Sequence, residues 1–127
     1  MQNERFSIKK RMKSFAYAFH GFSYLLRDEH NARIHLIAAI LAIFLGFILD
    51  ISNPEWIAII IAIGFVFAME MVNSAIEALC DFVSPEHREI IKKAKDVAAG
   101  AVLMAAMTAA MIGIIVFGPK LYTYIAG

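Results

Sequence analysis

The sequence is poor in what a soluble domain needs most. Charged residues are only 18% of its 127 positions, too few to coat a soluble globule of this size. A single cysteine, Cys80, excludes a disulfide scaffold. The four histidines, at positions 20, 30, 35 and 87, form no His-x-x-x-His pair, so a zinc site is not expected. There is no Walker A loop and no Gly-x-Gly-x-x-Gly, so any nucleotide is bound without the common phosphate loops. Base-reading motifs and aromatic–basic alternation are also missing, and no nucleic-acid partner is expected. No internal repeat or low-complexity segment interrupts the chain.

What is present is apolar. Hydrophobic residues are 61% of the chain and ten of them are Phe, against about 45–50% apolar in a soluble domain. The mean hydropathy is +0.68. The class implied is an all-α integral membrane protein of one domain.

Residues 1–30 mix Phe15, Tyr17, Phe19, Phe22, Leu25 and Leu26 with Lys9, Lys10, Arg11, Lys13, His20 and Arg27. A basic–aromatic helix of this kind lies in the headgroup plane. It lacks the apolar core of a signal peptide. Membrane helices are expected over about 32–50, 55–83 and 93–118. Asp50-Ile51-Ser52-Asn53-Pro54 reads as a tight turn, with Asn53 a candidate cap and Pro54 at the helix start. Ser84 before Pro85-Glu86 looks like an N-cap for the last helix, and Gly118-Pro119 looks like its end. Eleven of the 12 Lys and Arg lie in residues 5–33 and 88–95, Lys120 being the exception. The positive-inside rule therefore puts the N-terminus and the 84–96 loop in the cytoplasm.

The middle helix carries residues that an anchor would not. Glu70, Asn73, Glu77 and Asp81 fall on one narrow face at helical spacing. Ionisable residues within a membrane are costly and mark function. Stacked carboxylates need positive charge between them, from a divalent cation, from Lys95, or from both. For Asp81 the plainer reading is a solvated residue where the helix leaves the membrane; for Glu70, deep in the helix, that reading is weak. Lys92 and Lys93 are explained by positive-inside anchoring, and Ala101, Ala105, Ala109 and Gly113 by small-residue packing. Asp96 beside Lys95 at the membrane edge is not explained in this way. Glu29 lies at the interface, where it can complete a carboxylate cluster with Glu77; two oxygen donors plus a phosphate suit Mg²⁺.

These residues carry a resemblance. Glu70-x-x-Asn73-Ser74-Ala75-Ile76-Glu77-x-x-x-Asp81, followed by Ala94-Lys95-Asp96 and an Ala-rich helix, resembles the small prokaryotic diacylglycerol kinase / undecaprenol kinase family from about Phe15 to Phe117. The resemblance implies a membrane lipid kinase, a homotrimer with three spans per subunit and composite sites between subunits. It implies Glu70 as catalytic base and Glu29 and Glu77 as ligands of the divalent metal. Asn73, Lys95 and Asp96 then lie around the ATP phosphates and the reacting hydroxyl. Asp81 and Tyr17 resemble nucleotide contacts, and Lys10 a basic residue near the phosphates. Proteobacterial diacylglycerol kinases carry Glu at the position of His35. The run Glu29-x-Asn31-x-Arg33-Ile34-His35, the Pro54-Glu55-Trp56 start and the Phe117-Gly118-Pro119-Lys120 end look more like the undecaprenol kinase branch.

The residues alone agree with phosphoryl transfer, which needs charge neutralisation and positioning more than covalent chemistry. Glu70 lies about 10 Å deeper than Glu77, where a lipid hydroxyl at the headgroup boundary arrives. A proton-coupled transporter would continue polar residues toward the outer side, and residues 36–49 and 56–69 offer none beyond glycine. A purely structural assembly protein would have no use for the carboxylate face.

Overall fold

The computed structural model describes residues 6–127, so the first five residues of the expected interfacial segment lie outside the described residues. The described chain is four helices: α1 (Ile8–Asp28), α2 (His30–Ile48), α3 (Asn53–Val83) and α4 (Glu89–Ala126). The last three are long and apolar enough to cross a membrane. The protein is an all-helical membrane protein, and α3 against α4 is its most extensive helix pairing.

α1 and α2 meet at a one-residue hinge. Glu29 is extended (φ −110°, ψ 115°) and serves as C-cap of one helix and N-cap of the next. A helix end leaves its last carbonyls without intrahelical donors. Arg33, one turn into α2, reaches back to them: its Nε donates to Leu26 O at 2.8 Å and its Nη2 to Arg27 O. The guanidinium thus cements the hinge and sits at the negative end of the α1 dipole. Leu25 and Ala32 are buried on either side of it. Phe22 contacts Phe67 of α3 edge to face, at 5.5 Å between centroids. The earlier turns of α1 are exposed, apolar Ile8, Met12, Phe15 and Phe19 along with the lysines.

The turn into α3 is built by Ser52, not by Asn53. Ser52 is the N-cap, its Oγ accepts from Glu55 N, and Glu55 Oε1 accepts from Ser52 N at 2.9 Å and from Ser52 Oγ at 2.8 Å. This capping box shifts the helix start two residues earlier than expected, because Pro54 fits the first turn, where no N–H is needed. Asp50, at φ 49°, makes the reversal. Gly46 is buried under Trp56, and a Cβ there would lie 2.5 Å from the indole ring. Trp56 also packs against Phe47 with the rings tilted by 53°, 4.9 Å between centroids. Next to this turn, Ile51, Ile59, Val116 and Phe117 form the buried apolar cluster. Within a bilayer such a cluster is held by close van der Waals packing more than by exclusion of water.

The other boundaries differ in two places. Ser84 ends α3 as its C-cap, donating to Glu86 O, and α4 starts at Glu89 behind Arg88 with no side-chain cap. The Ser-Pro-Glu string therefore closes one helix instead of opening the next. α4 also continues through Gly118-Pro119 to Ala126. Proline removes one backbone donor and normally breaks a helix. Here the turn beyond it is held by two tertiary contacts and one local bond: Lys120 Nζ lies 3.5 Å from Glu55 Oε1, Leu121 packs on the apolar cluster, and Thr123 Oγ1 donates to Pro119 O within the helix.

Candidate active site

The carboxylate face of α3 meets a different neighbour at each level. Glu70 is the deepest and is 2% exposed, the only buried charged side chain among the described residues. Its Oε1 lies 3.2 Å from Nε2 of His35 on α2 but off the line of a hydrogen bond, so that oxygen has no aligned donor. Besides His35, the charges that act on Glu70 are Glu29 and Glu77. One turn further, Ser74 Oγ donates to Glu29 Oε1 at 3.4 Å, tying the α1–α2 hinge to α3. Asn73 Nδ2 donates to Glu77 Oε1 at 3.4 Å, and Asn73 Oδ1 is buried without a partner. Both bonds are long and weak. The hinge thus brings Glu29 against α3, one turn from Glu70, where Ser74 holds it.

Asp81 belongs to another environment. It is exposed and accepts from Lys95 Nζ of α4 at 2.5 Å. Lys95 is therefore engaged at the helix ends and not between Glu70 and Glu77. Asp96 is exposed and held at 2.7 Å by Lys92, one turn before it on α4. These four side chains, with the 84–88 loop, line an open polar cleft. Asn73 also borders a second cleft between α3 and α4, together with Ala94, Val97 and Ala98. Tyr17 and Lys10 are exposed on α1.

His35 is the neighbour that the sequence argument did not pair with Glu70. Its signal was its position, the last polar residue before the apolar run of α2, after His30, Asn31 and Arg33. Below it a groove of about 290 Å³ runs between α2, α3 and α4 toward Ile59 and Phe117, lined mostly by Ala and Gly, with His35 at one end. Among the described residues no group of three or more His, Cys, Asp or Glu converges as a ready-made metal cage. Two carboxylates with open coordination fit Mg²⁺, which keeps waters and completes its sphere with substrate phosphates.

The buried carboxylate thus sits on a helix long and apolar enough to cross a membrane. Residues 16–117 match the family of prokaryotic diacylglycerol kinase. The chain is 37% identical over 120 residues to undecaprenol kinase of Bacillus subtilis strain 168, covering 94% of this chain and 98% of that one. It is 35% identical over 101 residues to a diacylglycerol kinase of Synechocystis strain PCC 6803, covering 79% of this chain and 58% of that longer relative. It is 29% identical over 109 residues to diacylglycerol kinase of Escherichia coli strain K12, covering 86% and 89%. The chain belongs to the prokaryotic diacylglycerol kinase family and is a lipid kinase. Membership implies a lipid substrate and ATP as phosphate donor.

Proposed function

We propose that the protein phosphorylates undecaprenol to undecaprenyl phosphate at the cytoplasmic face of the bacterial plasma membrane, using ATP and Mg²⁺. The observation that carries the reading is the buried Glu70 carboxylate on a membrane-spanning helix, with Glu29 held against the same helix by Ser74. In this reading Glu70 is the general base. The lipid hydroxyl oxygen forms a bond to the γ-phosphorus as the bond from that phosphorus to the β,γ-bridging oxygen breaks. The hydroxyl proton goes to Glu70, and ADP leaves. Glu29 and Glu77 would hold Mg²⁺, which neutralises phosphate charge when bound. Lys95 and Asn73 face the phosphates, with Asp96 beside them. Asp81 contacts the nucleotide where the cleft opens to water, and Tyr17 and Lys10 reach it from α1, which lies in the headgroup plane. The wide apolar faces of α2 and α4, such as Phe44 and Ile114, pack against lipid and against two further copies, in a homotrimer whose sites are shared between subunits.

Undecaprenol is favoured over diacylglycerol by two observations. The match to undecaprenol kinase covers nearly the whole of both chains at 37% identity, and His35 lies beside Glu70. The test is phosphorylation by the purified full-length chain in mixed micelles, with labelled ATP and Mg²⁺ and with undecaprenol and diacylglycerol offered in parallel. Label mainly in the polyprenol is the expected result. Label mainly in diacylglycerol replaces the substrate but keeps the enzyme class, and label in neither overturns the reading.

A further inference from the structure

The ring of His35 stands between the apolar groove and Glu70. Glu70 is enclosed, and the charges acting on it besides His35 are the two acids Glu29 and Glu77. Among the described residues the side chain paired with it is His35, and no lysine or arginine is. A buried carboxylate with no aligned donor is not fixed by any hydrogen bond, and an off-position base loses rate steeply. The imidazole Nε2 lies 3.2 Å from Oε1, within hydrogen-bond reach once the two groups align. His35 itself is set by its place two residues after Arg33, whose guanidinium is clamped to the end of α1.

We propose that His35 is a positioning residue: its Nε2–H holds Oε1 of Glu70 so that the other carboxylate oxygen is turned toward the acceptor hydroxyl arriving along the groove. His35 makes and breaks no bond to substrate. The inference rests on Glu70 being the base.

The experiment compares His35→Ala, His35→Gln and His35→Asn with the intact chain in mixed micelles. A glutamine amide nitrogen reaches the position of Nε2, whereas an asparagine nitrogen reaches only that of Nδ1. The expected result is a kcat lowered about 10- to 100-fold in His35→Ala and His35→Asn, as for other misplaced catalytic groups. The KM for ATP should not change, and His35→Gln should recover most of the rate. Equal rates in the Gln and Asn variants overturn the proposal, as does a wild-type kcat in His35→Ala. The Gln–Asn pair keeps the test decisive if the Ala variant does not assemble. Glu70→Gln, alone and combined with His35→Ala, separates the two readings. An active Glu70→Gln removes the base. An inactive Glu70→Gln to which His35→Ala adds no further loss supports positioning through Glu70.

Discussion

Glu55 and Glu70 lie on the same helix, roughly 22 Å apart along its axis, and are treated in opposite ways. Glu55 accepts from Ser52 N and Ser52 Oγ and faces Lys120, at a turn where Gly46, Trp56 and the Ile51–Phe117 cluster pack tightly. Glu70 is buried with one imidazole off the bonding line, among long hydrogen bonds and two more acids. One end of α3 has its polar groups satisfied within the chain. The other leaves them under-satisfied, which costs stability unless something else binds there. The contrast separates the part of the molecule that holds the fold from the part that meets ligands.

Glu70→Gln is the strongest way to break this contrast. Turnover should fall by about 10²–10⁴-fold, the usual range for a lost general base. The melting temperature in detergent should stay level or rise, since a buried carboxylate without an aligned donor is replaced by a neutral amide of the same shape. A large loss of thermal stability would mean that Glu70 is structural. Gly46→Ala tests the other end. The new methyl collides with the rigid indole of Trp56 and should cost about 1–3 kcal/mol of stability. The activity of the fraction that folds should match wild type, read by thermal unfolding beside the lipid assay. Arg33→Ala should loosen the α1 hinge. The KM for ATP should rise about five-fold, equivalent to about 1 kcal/mol for a lost hydrogen bond, and trypsin should cut faster at the α1 lysines. The smallest effect is expected from Ser52→Ala, a lost N-cap worth about 1 kcal/mol, with kcat unchanged.

Much of this was legible in the residues, and the failures are informative. The three spans follow from apolar runs, and the Glu70–Glu77 face follows from helical spacing, both of them local properties of the chain. The three helix ends that were misjudged all involve proline. Before Pro54 the cap is Ser52, whose capping box with Glu55 starts α3 two residues early. At Pro119 contacts from Glu55 and the apolar cluster outweigh a local break. At Ser84-Pro85 the backbone N–H of Ser84 donates to Cys80 O and closes the preceding helix, while its hydroxyl donates to Glu86 O. Lys95 was a candidate partner for the whole carboxylate face, but it pairs with Asp81 at the rim.

The sequence by itself determined that this chain is a helical membrane protein, that α3 carries acids on one side, and that its motif is that of a lipid kinase family. These depend on composition, on a period of about 3.6 residues and on fixed spacing within one helix. Only the tertiary structure decided which groups meet across helices: His35 with Glu70, Ser74 with Glu29, Arg33 with the end of α1, and Lys120 with Glu55. Such pairs depend on the rotation and relative height of packed helices. Those are set by Gly46 under Trp56 and by the one-residue hinge at Glu29, and not by any spacing along the chain.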